Sequence, residues 1–214
     1  MKNIIVVIAL VLSGSLFAQN SSADAKALLD EVSAKVKSYD NVSIDFKYVL
    51  QNSEENINQE TRGDVIMEGD KYVLNILGVT RIYDGNTLYT ISPEDEEVTI
   101  SSENTEDENT ITPSQMLTFY EAGYSYAMDL VQNVGGRNIQ YVKLTPIDSN
   151  SEIQQVLLGI DIKTKHIYNL IDLGSNNTKT TLTVNSFKTN EPLSKTLFIF
   201  DETKYSDYFI NRID

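Results

Sequence analysis

The amino-acid sequence predicts an α+β fold: one large, strongly curved antiparallel sheet with helices gathered on one side. Three observations predict it. Apolar and polar residues alternate along ten or eleven short segments, the period of strands with one buried face. These segments follow one another through tight turns with no helix between them, so the connections read as hairpins and the pairing as antiparallel. Two further segments carry the three- and four-residue apolar spacing of helices, one ahead of the strands and one in their midst. No linker or internal repeat interrupts the chain, so residues 19–214 read as a single domain.

Residues 1–18 read as a secretory signal peptide. Lys2 gives a positive start, Ile4 to Leu12 is an unbroken apolar run, and Leu16-Phe17-Ala18 ends in a small residue ahead of Gln19. The apolar run is shorter than the roughly 20 residues a spanning helix needs, and no Cys follows it to carry a lipid anchor. The expected product is a soluble, exported protein cleaved near Ala18. The whole chain lacks Cys, so its core must hold the fold without the disulfides that export permits. With 17 basic and 31 acidic residues its net charge is −14. That charge repels phosphate backbones and anionic lipid surfaces and argues against nucleic acid as a partner.

Residues 21–39 read as an amphipathic helix. Ser22 is its candidate cap, and Ala25, Leu28, Leu29, Val32 and Val36 form one stripe. Residues 41–51 are the clearest strand, with Val42, Ile44, Phe46, Tyr48 and Leu50 alternating against Ser43, Asp45 and Lys47. A polar loop follows. Strands are then predicted over 61–67, 72–77, 80–83, 87–92 and 97–101, with turns at Gly69-Asp70, Asp84-Gly85-Asn86 and Pro93-Glu94-Asp95. Residues 102–109, SENTEDEN, form an acidic loop without the ligand alternation and turn glycine of a calcium loop. Thr112 and Pro113 open a second helix as cap and first-turn residue, with Met116, Leu117, Phe119 and Tyr120 on its apolar side and Gly123 ending it. The remaining strands are predicted over 126–134, 139–146, 154–162, 166–173, 180–188 and 196–200.

Groups that carry chemistry are scarce. Thiol chemistry is excluded, and the only histidine is His166, at the start of a strand. No G-x-S-x-G elbow, phosphate-cradling glycine loop or zinc-ligand spacing occurs, and no acidic pair stands out from the loops. No catalytic residue, metal or cofactor is assigned. The conspicuous surplus is apolar surface, rich in Tyr (12, against 7 Phe and no Trp), whose apolar ring and polar tip suit a cavity wall or rim. A curved sheet lined by such residues can hold an acyl chain, at about 0.8 kcal/mol for each methylene buried. The alternation nominates Ile44, Phe46, Tyr48, Val65, Met67, Leu74, Ile76, Tyr89 and Ile91 for the cavity, and Leu28, Val32, Met116, Leu117 and Tyr120 for a lid. A one-residue error in phase would invert any strand's set.

The order of motifs resembles the LolA family of periplasmic outer-membrane lipoprotein carriers over nearly the whole mature chain. The motifs are Gly63-Asp64-Val65, Asp84-Gly85-Asn86-Thr87-Leu88-Tyr89, Thr112-Pro113, Leu144-Thr145-Pro146, and His166 with Phe198-Ile199-Phe200. The resemblance implies an incomplete, half-open antiparallel β-barrel of about eleven strands covered by lid helices. It also implies a monomeric chaperone, not an enzyme, whose apolar cavity takes the acyl chains of lipoproteins. An inner-membrane ATP-driven release complex would supply them and an outer-membrane acceptor would receive them. The chain departs from the family at Gly69, where a lid-latching arginine is expected. A lipid- or lipoprotein-sensing domain on the same scaffold, without transport, is the competing reading; a secreted hydrolase is a distant third.

Overall fold

A computed structural model describes residues 21–102 and 112–213. The predicted signal peptide and most of the acidic loop lie outside the described residues. A helix, α1, covers 21–37. Ser22 lies inside it, so the predicted cap is corrected; Ser21 Oγ instead accepts the Met128 N–H at 3.0 Å and ties the helix to a distant strand.

Among the described residues, twelve strands form one sheet: β1 (Val42–Asn52), β2 (Ile57–Glu68), β3 (Lys71–Ile76), β4 (Val79–Tyr83), β5 (Thr87–Ser92), β6 (Glu97–Ser102), β7 (Tyr124–Val134), β8 (Arg137–Pro146), β9 (Ile153–Asp161), β10 (Ile167–Gly174), β11 (Thr178–Thr189) and β12 (Phe209–Arg212). Their order is β12-β6-β5-β4-β3-β2-β1-β11-β10-β9-β8-β7. The sheet does not close on itself: β12 and β7 are its two edges. β1 is the seam. It pairs along its full length with β2 on one side and β11 on the other, joining the two runs of hairpins.

Three predictions need correction. The sheet is mixed, because β12 runs parallel to β6, with Phe209 opposite Glu97. No strand forms over 196–200; that segment turns. The second helix, α2, is only Pro113–Met116, and a separate 3-10 turn, Phe119–Glu121, follows it. Capping fixes where α2 starts: Thr112 Oγ1 accepts the Gln115 N–H, and Gln115 Oε1 accepts the Thr112 N–H. Its early end follows from Thr118-Phe119-Tyr120, a β-branched residue and two aromatics of low helix propensity. Tyr120 turns inward here, and Ser33 of α1 donates to its hydroxyl at 3.1 Å.

The concave face is filled unevenly. Over β8 and β9 the stripe of α1 (Ala25, Leu29, Val32) forms one solid core with Val142, Leu144, Val156, Leu158 and Ile160. The convex face of the β3–β6 half has a second apolar layer. There Val73, Ile91 and Val98 are buried beneath the segment that leaves β11, together with its Phe198. Asn41 clamps the start of that segment, donating to the Glu191 carbonyl and accepting the Glu191 N–H, both at 3.0 Å.

Candidate functional site

The part of the concavity that α1 does not fill is a cavity of about 210 Å³. One water needs only about 10–15 Å³ of such space, so this is a chamber and not a packing defect. Strand alternation supplies its walls. Ile44, Phe46 and Tyr48 come from β1, Val65 and Met67 from β2, Tyr72, Leu74 and Ile76 from β3, and Leu88 from β5. Register holds these rows together, with Ile44 opposite Val65 and Val65 opposite Leu74.

Across the seam, Leu182, Val184 and Phe187 of β11 and Ile167 and Leu170 of β10 complete the wall. Strict alternation would not turn Val184 and Phe187 to one side. The β1–β11 register slips between Asp45 and Phe46, leaving Asn185 as an extra residue, and this bulge resets which side chains face inward. A similar irregularity lies between Ile167 and Asn169.

Thr112, Pro113, Met116 and Leu117 form the roof, and α2 rests against β2 and β3. A helix of four residues is a thin cover beside the much longer α1. Met116 is flexible and 39% exposed, bridging cavity and solvent.

Of the residues nominated from sequence, Ile44, Phe46, Tyr48, Val65, Met67, Leu74, Ile76, Met116 and Leu117 meet at this cavity. Tyr89 and Ile91 do not. They lie on the convex face, where Tyr89 stacks on Phe200 at 4.5 Å and Ile91 is buried; β5 runs one residue out of the predicted phase. Leu28 and Val32 belong to the solid core under α1, and Tyr120 joins them there. Burial pushes the Tyr120 hydroxyl up to about 12, although the bond from Ser33 pulls the other way, so it remains a neutral anchor.

His166 joins the turn that follows α1 to the cavity wall. Its Nε2 lies 2.8 Å from the Tyr39 hydroxyl, and its ring stacks on Phe187 at 4.1 Å. Burial, with Lys35 nearby, lowers its pKa, so the ring is neutral in its apolar setting.

Gly69 occupies the tight β2–β3 turn at φ +59, with open space around it. The arginine that does reach the cavity is Arg81, on β4. The sequence offers Arg62 and Arg81 near the latch position without assigning either to the cavity, because a charged residue on an alternating strand is ordinarily assigned to solvent. The register of Arg81 opposite Leu74 is the signal that exposes its direction.

An open sheet wrapped around an apolar chamber, with a small roof over it, defines a binding scaffold for an apolar guest. The chain belongs to the family of the outer membrane lipoprotein carrier protein LolA, whose model matches residues 37–201. No curated protein matches it. Among solved structures, an uncharacterized conserved protein from Thermus thermophilus is similar, with a TM-score of 0.56 and 11% identity over 89% of this chain and 99% of the other. LprF from Mycobacterium bovis has a TM-score of 0.53 and 12% identity over 81% and 96%. A LolA superfamily protein from Nitrosomonas europaea gives 0.43 and 12% over 83% and 98%. At these identities the likeness is one of fold.

Proposed function

We propose that this protein is a periplasmic carrier that takes up the acyl chains of lipoproteins and shuttles them from the inner to the outer membrane. One observation supports this reading above others: the family fold leaves an apolar chamber beside its solid core, roofed by a single capped turn. At about 0.8 kcal/mol for each methylene kept from water, the chamber offsets what a long acyl chain loses on leaving a bilayer, without any specific polar contact. The surplus of acidic residues favours release from anionic membrane surfaces once the tail is enclosed. The sequence of residues 1–18 supports export, with an inner-membrane ATP-driven complex as donor and an outer-membrane acceptor as recipient.

Native mass spectrometry of the protein purified from its host, joined to displacement of a neutral fluorescent dye by acylated peptides, tests binding. A co-purifying acylated species and saturable displacement are expected; absence of both would overturn the reading. Depletion in cells tests transport, with lipoproteins retained in the inner membrane as the expected result. Normal sorting with binding intact would remove transport and leave a lipid-binding role.

A further inference from the structure

We propose that the scaffold ranks acyl guests by their polar end and favours one that carries a primary ammonium, with Asp172 as the group that receives it. The proposal rests on the reading of the chamber as an acyl-chain site and adds a polar site at its mouth. The chamber still holds the tail without a polar contact; Asp172 lies outside its lining and sorts guests whose tails fit equally well. Burial alone shifts the titration of the Asp172 carboxylate, and neither a hydrogen-bond donor nor a cation among the described residues offsets it. Proteins keep such costly, unpaired groups chiefly at functional sites.

The chamber has a closed end and an open one. Met67, Tyr72 and Ile167 are buried at the first, while Tyr48, Leu170 and Leu182 are only partly buried at the second. Leu170 and Leu182 face each other across β10 and β11, and two residues further along the same strands Asp172 faces Thr180. The period of two puts all four on the same side of the sheet. Asp172 and Thr180 belong to a second pocket, polar in character, that Glu152, Ser175 and Thr178 help to line. Two residues of strand span about 7 Å, so a tail against Leu170 and Leu182 brings a head a few bonds away to Asp172, beside the Thr180 hydroxyl. Two carboxylates and no cation are among the described residues that line this pocket, which therefore favours a positive head. The ammonium of a phospholipid travels with a phosphate that Asp172 and Glu152 repel. The free amino end of a lipid-modified polypeptide has no such companion and fits the pocket, with its chain leaving over residues 147–152 and 175–177.

The test uses the mature protein at mildly alkaline pH, with bound N-phenylnaphthylamine, a neutral dye, displaced by dodecylamine, dodecanol or N-dodecylacetamide. The amine should displace it at concentrations about tenfold below the other two. Asp172→Asn should bring the three compounds close together and Asp172→Glu should keep part of the preference. Glu94→Gln removes the same charge from the remote β5–β6 turn and should leave the preference unchanged. Equal affinities in the unmodified protein, or a preference that survives Asp172→Asn or falls as far in Glu94→Gln, would overturn the proposal while leaving the acyl-chain site standing. If none of the three compounds displaces the dye, the acyl-chain reading itself fails. Should Asp172→Asn not fold, the acetamide decides on the unmodified protein: displacement equal to that of the amine overturns the proposal and tenfold weaker displacement supports it. A peptide with an S-diacylglyceryl amino-terminal cysteine then tests the source of the head. It should bind more tightly with its amine free than acetylated, and more tightly than lysophosphatidylethanolamine; the reverse order would overturn the assignment to a polypeptide terminus.

Discussion

Leu88 and Tyr89 are neighbours on β5 and serve opposite sides of the sheet: Leu88, 1% exposed, is cavity wall, while Tyr89 stacks on Phe200 of the segment that crosses the convex face. The two layers can therefore be separated by mutation. Tyr89→Ala should cost about 2 kcal/mol of stability, through lost apolar contact and an aromatic pair, with acyl-probe affinity of the folded protein unchanged. Denaturant titration and dye displacement measure the two effects. A double-mutant cycle with Phe200→Ala should return a coupling of about 0.5–1.5 kcal/mol. Loss of affinity in proportion to stability would contradict the assignment of Tyr89 to the convex layer.

Gly63 makes room for a cavity wall. A methyl group at this position would stand 2.6 Å from the Asn75 carbonyl oxygen and 2.6 Å from Phe46 Cζ. Phe46 lines the chamber and can swing into it, and the Asn75 carbonyl belongs to a paired strand. Gly63→Ala should therefore destabilise the fold by about 1–3 kcal/mol, as overpacking does, and narrow the chamber. Adding Phe46→Leu should recover only part of the stability, because the clash with the backbone oxygen persists. Full recovery in urea titrations would show that the ring alone sets the limit.

The strands whose outer face is polar were legible in the sequence. On β1, Ser43, Asp45 and Lys47 mark the wet side, so Ile44, Phe46 and Tyr48 could be assigned inward. On β5 both sides are apolar, because the convex face is covered too, and alternation loses its meaning there. The bulge at Asn185 hides Phe187 from any argument based on a period of two. β12 is four residues long, and its partner β6 lies over a hundred residues earlier in the chain. Nothing local announces such a pairing. Arg81 shows the opposite failure: its chemistry is plain in the sequence, while its direction depends on register with Leu74.

Leu77 is held in a conformation that suits another residue. The two-residue loop joining β3 to β4 is Leu77-Gly78, with φ of +54 and +78, the left-handed pair of a type I′ turn. A leucine in the left-handed region costs about 1–2 kcal/mol, and this one is 73% exposed, so little packing offsets the strain. Leu77→Asn, which creates the favoured Asn-Gly turn, should raise stability by about 1 kcal/mol. A thermal or urea midpoint that falls instead would mean the exposed leucine makes a stabilising contact in solution.

Asp172 should give the protein a stability that rises as the medium turns mildly acidic. It lies on β10 between Val156 and Thr180, and burial raises its pKa from 3.8 to about 6. The folded state then binds a proton that the unfolded chain releases between these two values, so stability falls as pH rises from about 4 to 6 and levels off above 6. The penalty on the ionised form is on the order of 2–3 kcal/mol. His166 works against it, since its lowered pKa makes folding less favourable as pH falls below the ordinary histidine value. The clean measurement is therefore a difference: Asp172→Asn against the unmodified protein, by urea denaturation from pH 4 to 8. The variant should be more stable by about that amount at pH 7–8, with the gap shrinking toward pH 4. A gap that stays constant with pH would show that the Asp172 carboxylate is solvated in the folded protein.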